Sequence, residues 1–167
     1  VQQHRDSSIA RAAIFDSTGT YRYSLWRQWN AAFPQLVLVM LNPSTADAHM
    51  DDATIRRCIR FAQHWGYGSL EVVNLFAWMT PNPLNLRDAV DPVGTENDRH
   101  ILTAVQRAAQ VVVAWGNWGT LHQRDRAVLA LLSQHDIYCL GINRSGQPRH
   151  PLYLKSSTIP RVYSRMH

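Results

Sequence analysis

The sequence predicts an α/β fold: a three-layer αβα sandwich around a central, mainly parallel sheet, with a β-hairpin ahead of it. Three observations predict it. Continuous aliphatic runs at 36–41, 70–76, 111–115 and 137–140 alternate with longer segments at 51–65, 95–109 and 121–133 that read as helices. The runs do not alternate polar with apolar, so both faces of each strand are expected to be covered, as in a parallel sheet. Each run ends on a polar segment with special backbone residues, and in such sheets ligands sit beyond the carboxyl ends of the strands.

Residues 12–15 and 21–26 flank Asp16-Ser17-Thr18-Gly19 and are expected to pair through that turn. The run at 36–41 stops at Asn42-Pro43, because proline cannot donate to a sheet ladder. Within 51–65, Ile55, Ile59, Ala62 and Trp65 share one face, with Cys58 and Phe61 beside them. Asp51 and Asp52 suit the first turn of that helix, and Gly66-Tyr67-Gly68 suits its end. The strand at 70–76 leads into a loop broken by Pro81 and Pro83. The helix at 95–109 precedes the strand at 111–115, which ends on Trp115-Gly116-Asn117-Trp118-Gly119. The helix at 121–133 and the strand at 137–140 complete the alternation, and a loop rich in Gly, Pro and basic residues comes after them. One domain is expected over 1–167, a length that suits a single core.

Composition narrows the function classes. Shares of 46% hydrophobic and 17% charged residues are those of a soluble globule, and no apolar run is long enough to span a bilayer. The polar start at residues 1–8 has no apolar signal core, so the cytoplasm is the expected address. The two cysteines, Cys58 and Cys139, form no CxxC pair and read as buried thiols. A formal charge of +5 and a pI near 9.7 favour a polyanionic partner, DNA or a nucleotide. The arginines are dispersed, so any such surface must be assembled by the fold.

Three residues stand out as candidates for chemistry. Asn42 ends a rigid strand, and Pro43 stiffens the turn after it; the amide either starts that turn or is held there to contact a small molecule. His150 lies in Pro148-Arg149-His150-Pro151, where little backbone freedom remains; a fixed imidazole can donate to an anion or move a proton, and a surface histidine is the plainer alternative among eight. Asn74 interrupts Val72-Val73-Asn74-Leu75-Phe76; a buried amide must find partners, either the backbone or the edge of a heterocycle. Phe76, Trp78, Trp115, Trp118 and Tyr153 supply flat surfaces for stacking on bases or walls for a cleft. Asp47, His49, Asp51 and Asp52 form a rival cluster that either caps a helix or holds a divalent cation. No GxGxxG or P-loop pattern is present.

The blocks "YRYSLWRQW", "LNPSTADA", "DDATIRRC", "FAQHWGYG", "NLFA", "DPVGTEND", "AWGNWG" and "GQPRHPLYL" together resemble the bacterial and phage family called domain of unknown function 1643. A more distant resemblance is to the uracil-DNA glycosylase superfamily. "VMLNPS" is similar to its first motif, with Met40 where glycine is usual, and "HPLYL" to its second, with Leu152 and Tyr153 in place of Ser-Pro. "VVVAWG" is similar to a strand of that superfamily ending in Trp-Gly. This resemblance implies a glycosylase-like αβα sandwich and catalytic roles for Asn42 and His150. It implies substrate contacts at Met40, Leu41, Pro43, Ser44, Asn74, Phe76, Trp115, Gly116, Arg149, Leu152 and Tyr153. No metal and no cofactor is implied. Arg149, Lys155 and Arg161 are candidate phosphate contacts.

The expected function is N-glycosidic hydrolysis of a base, modified or not, flipped out of DNA. A non-catalytic nucleotide or nucleic-acid binding protein on the same fold is the alternative. A metal-dependent phosphohydrolase using Asp47, Asp51 and Asp52 is the third reading. Oligomeric state leaves no mark in the sequence.

Overall fold

The structure, a computed structural model, describes residues 9–163. The polar start at 1–8, on which the cytoplasmic expectation rests, lies outside them. No helix of the described residues is long and apolar enough to cross a membrane.

Seven strands form one sheet: β1 Ala10–Phe15, β2 Arg22–Gln28, β3 Gln35–Met40, β4 Ser69–Asn74, β5 Gln110–Val113, β6 Ile137–Cys139 and β7 Arg161–Val162. Their spatial order is β1-β2-β4-β3-β5-β6-β7. The central pairs β4-β3, β3-β5 and β5-β6 are parallel, while β2 runs against β1 and β4, and β7 runs against β6. Five strands therefore share one direction and two oppose it. The two-residue β7, preceded by Pro160, carries no apolar run and has no counterpart in the sequence expectation.

Three helices link the parallel strands: α1 Ala53–His64, α2 Asn97–Arg107 and α3 Arg124–Leu131. Ile55, Cys58, Ile59 and Ala62 of α1 pack on Leu36, Leu38 and Met40 of β3 and on Leu70 and Val72 of β4. Ile101, Ala104 and Val105 of α2, with Val128 and Leu129 of α3, pack on Val37, Val39, Val73 and Val111 from the opposite face. This division follows from the period of two along each strand. Helix α1 starts where Asp52 accepts from the Ile55 amide at 2.9 Å.

The expected helix over 121–133 is broken. Residues Asn117–Gln123 form a short 3₁₀ segment with a kink, and His122 and Gln123 take left-handed φ values of 54° and 56°. After this reversal Arg124 begins α3 nearly buried, with its Nε donating to the Leu75 carbonyl at 2.7 Å. A tertiary hydrogen bond thus overrides the helical spacing of the apolar residues.

Among the described glycines, Gly68, just before β4, has the closest backbone neighbour. A Cβ there would stand 1.8 Å from the Asn30 carbonyl oxygen, while Gly68 itself bonds Trp29, Asn30 and Pro34 through its backbone. Gly68→Ala is expected to cost at least the upper end of the ~1–3 kcal/mol typical of overpacking. A denaturant titration checks this; unchanged stability would mean that the 29–34 turn yields freely.

Candidate functional site

The parting of the chain at the strand ends makes the site. After β3 the chain crosses to the α1 face, and after β5 it enters the segment leading to α3 on the other face. These departures to opposite faces leave a gap between the adjacent carboxyl ends, the usual ligand crevice of an open α/β sheet. A cavity of about 670 Å³ occupies it.

The β3 exit forms its first wall. Backbone bonds from Leu75 to Met40, from Phe76 to Leu41 and from Thr80 to Pro43 extend the β3–β4 pairing past the strands. The Asn42 Nδ2 donates to the carbonyls of Pro43 at 3.0 Å and Thr80 at 2.9 Å. Both partners are acceptors, so the amide orientation is settled, and Oδ1 remains as the acceptor that Asn42 can offer the cavity. Pro43 itself is buried and does not line the cavity; its carbonyl organises Asn42 and Thr80. Met40, Leu41 and Ser44 do line it.

Asn74 ends β4, is 1% exposed and borders the cavity. Neither its Oδ1 nor its Nδ2 has a hydrogen-bond partner. Its backbone is held from the far side of the sheet: the Asn97 Nδ2 donates to the carbonyls of Asn74 at 2.9 Å and Leu75 at 3.0 Å. In the sequence Asn97 reads as an ordinary helix-start residue; its clamping role depends on which strand α2 meets.

The β5 and β6 exits complete the wall. Trp115 is buried, donates from Nε1 to the Gln147 side chain at 2.8 Å and meets the Tyr163 ring edge-on. Gly116 has a φ of 76°, a conformation that favours glycine, and its amide donates to the Pro148 carbonyl at 2.9 Å. The 141–149 excursion closes on itself through Arg149 to Gly141 and delivers His150 to the cavity. The Leu152 amide donates to His150 Nδ1 at 3.2 Å, so the neutral ring carries its proton on Nε2. Burial lowers the His150 pKa from its ordinary 6.5, opposed by the negative charge of Asp52.

Arg149 and Leu152 line the cavity, and Tyr153 stands at its mouth, 99% exposed with a φ of 68°. The carbonyl of the following Leu154 accepts from Arg57 of α1, tying this loop down.

Phe76 corrects the sequence expectation. It is fully buried in the α2–α3 cluster, edge-on to His122, and does not reach the cavity. Leu75 keeps the alternation and falls on the far face with Val73; the alternation breaks after it, beyond the strand end at Asn74, and Phe76 falls on the far face as well. Trp118, at the rim, is the aromatic that lines the cavity with Trp115 and Tyr153. Trp78 packs against the α2–α3 cluster. Lys155 and Arg161 are exposed and lie outside the cavity lining.

The acids of the rival cluster have separate structural duties. Asp47 accepts from the amides of His49 and Met50, Asp51 pairs with Arg27 at 2.8 Å and with Arg11, and Asp52 caps α1. Among the described residues no group of three or more His, Cys, Asp or Glu could hold a metal ion. Of these acids, Asp52 alone lines the cavity.

Arg22 was not singled out by sequence reasoning. It opens β2, is 2% exposed and borders the cavity. In the alternating stretch Tyr21-Arg22-Tyr23-Ser24 an arginine reads as solvent-facing, so only its position beside β4 reveals it.

With that geometry in place, the family is clear. The chain belongs to the family described as "Protein of unknown function (DUF1643)", matched over residues 22–152. The DUF1643 match thus runs from Arg22 to Leu152 and encloses Asn42, Asn74 and His150. No curated protein and no solved structure matches the chain.

The unfolded chain binds a proton to His150 more readily than the folded one. The stability held by the neutral ring is therefore full above the ordinary value of 6.5 and lost as pH falls from there through the lowered folded value. An NMR titration is expected to place the His150 midpoint below 6.5. A midpoint at or above that value would contradict the buried, neutral imidazole.

Proposed function

We propose that this chain is a glycosylase-like N-glycosidic hydrolase that takes a flipped base of DNA into the cleft. The observation that carries the reading is the Asn74 amide, buried at the cavity with neither polar atom partnered. An unmet buried amide costs roughly 1–3 kcal/mol per group, which a ligand with a complementary donor and acceptor would offset. The lactam edge of a base offers such a pair, adjacent on one planar ring.

The remaining residues suit bond cleavage. As the C1′–N bond breaks, its electron pair leaves with the base, and His150 donates from Nε2 to the oxygen on which negative charge grows. Asn42 accepts from a water through Oδ1 and holds it for addition to C1′; the water's second proton passes to solvent. An amide is a poor base, so Asn42 works by position. In this reading the exposed Tyr153, with its left-handed backbone, enters the gap left by the flipped nucleotide. The likeness of "VMLNPS" and "HPLYL" to glycosylase motifs supports the same assignment of Asn42 and His150. The formal charge of +5 suits a DNA partner, with Arg149 beside the cavity as a phosphate contact.

The test is base release from a DNA panel containing uracil, hypoxanthine and modified pyrimidines, with EDTA present. Release is expected from the parent, with losses of about 100-fold or more for Asn42→Ala and for His150→Ala. Asn74→Ala is expected to weaken binding of the target base about 10–100-fold while leaving salt-dependent DNA binding in place. DNA binding with no release of any base would establish a binding protein in place of an enzyme. Release abolished by EDTA would restore the metal reading.

A further inference from the structure

Arg22 has no part in the chemistry described above, yet it is one of the most deeply buried charges in the molecule. Its NH1 donates to the Ala46 carbonyl at 2.9 Å, which fixes the guanidinium. Its Nε has no hydrogen-bond partner, and among the described residues Arg22 forms no ion pair. Arg22 lines the same cavity as Asn74, whose amide is also unpartnered. Two residues that line one cavity thus hold three buried, unpartnered polar atoms: Arg22 Nε, Asn74 Nδ2 and Asn74 Oδ1.

The groups facing Arg22 leave it a cation. Burial lowers its pKa to about 10, so it stays protonated at neutral pH. Arg27 lowers it further, while Asp52 and Asp47 oppose. The Asp52 carboxylate is engaged at the α1 N-terminus through the Ile55 amide, where the helix dipole compensates its charge. A lactam edge satisfies Asn74 and leaves the Arg22 Nε unanswered. A buried guanidinium is best answered by an anionic oxygen, because charge-assisted hydrogen bonds are the stronger kind. The cavity volume of about 670 Å³ lies within the range of sites for whole drug-sized ligands, which leaves room for a substituent.

We infer that Arg22 is a specificity residue, and that the base taken by this cleft carries an anionic oxygen substituent, such as a carboxylate, beside the edge read by Asn74. This rests on the glycosylase-like reading. On a pyrimidine read at N3 and O4, the neighbouring position is C5, so a 5-carboxylated uracil is the simplest base of this class.

The test uses single-stranded oligonucleotides with one 2′-fluoro nucleotide, whose sugar resists cleavage, carrying uracil, 5-methyluracil or 5-carboxyuracil. A fourth carries an abasic analogue. Binding of the full chain is followed by fluorescence anisotropy at fixed salt. The 5-carboxyuracil strand is expected to bind about 10-fold or more tighter than the 5-methyluracil strand. Arg22→Gln is expected to erase that ratio, and Arg22→Lys, which keeps a cation without the planar fork, to keep part of it. Equal affinity for the three bases, all above the abasic strand, would overturn the role of Arg22 and leave the base-binding reading standing. Four equal affinities would overturn both. The comparison of bases on the parent chain decides the matter even if Arg22→Gln fails to fold.

Discussion

The chain leaves β3 toward one face of the sheet and β5 toward the other, and the open gap between those two strand ends governs how the rest is arranged. Backbone groups at such a gap still need hydrogen-bond partners. The molecule meets this demand with side chains and late loops. Asn42 spends its amide hydrogens on two carbonyls, and the 141–149 excursion bonds back to Gly116. The same arrangement that ties off the backbone brings Asn42 and His150 to the cavity lining.

Rigidity at the floor comes from the opposite side of the sheet. Asn97 and Arg124 together hold the carbonyls of Asn74 and Leu75 from the α2–α3 face. An unsatisfied buried amide is a standing cost, and here it lines the same cavity as Arg22, whose Nε is also without a partner. The acids near the α1 start do the reverse. Asp47, Asp51 and Asp52 are each engaged in holding the 47–55 segment, with Arg27 buried beneath them.

Some of the site was legible because residue type clashed with local pattern. An asparagine before proline ends an aliphatic run at Asn42; an amide interrupts another at Asn74; prolines fix the chain on both sides of Arg149-His150. All three side chains meet at one cavity. Phe76 misled because its place in the run suggested a continuing strand, while the side-chain alternation breaks just before it, past the strand end at Asn74. Arg22 and Asn97 carry no local anomaly, since arginine suits an alternating strand and asparagine suits a helix start.

The sequence by itself determined the alternation of strands and helices and the polar character of the strand ends, because hydrophobic period and proline placement act over a few residues. Only the tertiary structure decided the order of strands, hence which two ends stand beside the open gap, and which polar side chains end up buried there unpaired. Those outcomes depend on contacts between segments as distant as Arg22, Asn74 and His150, and no local pattern encodes a neighbour that far along the chain.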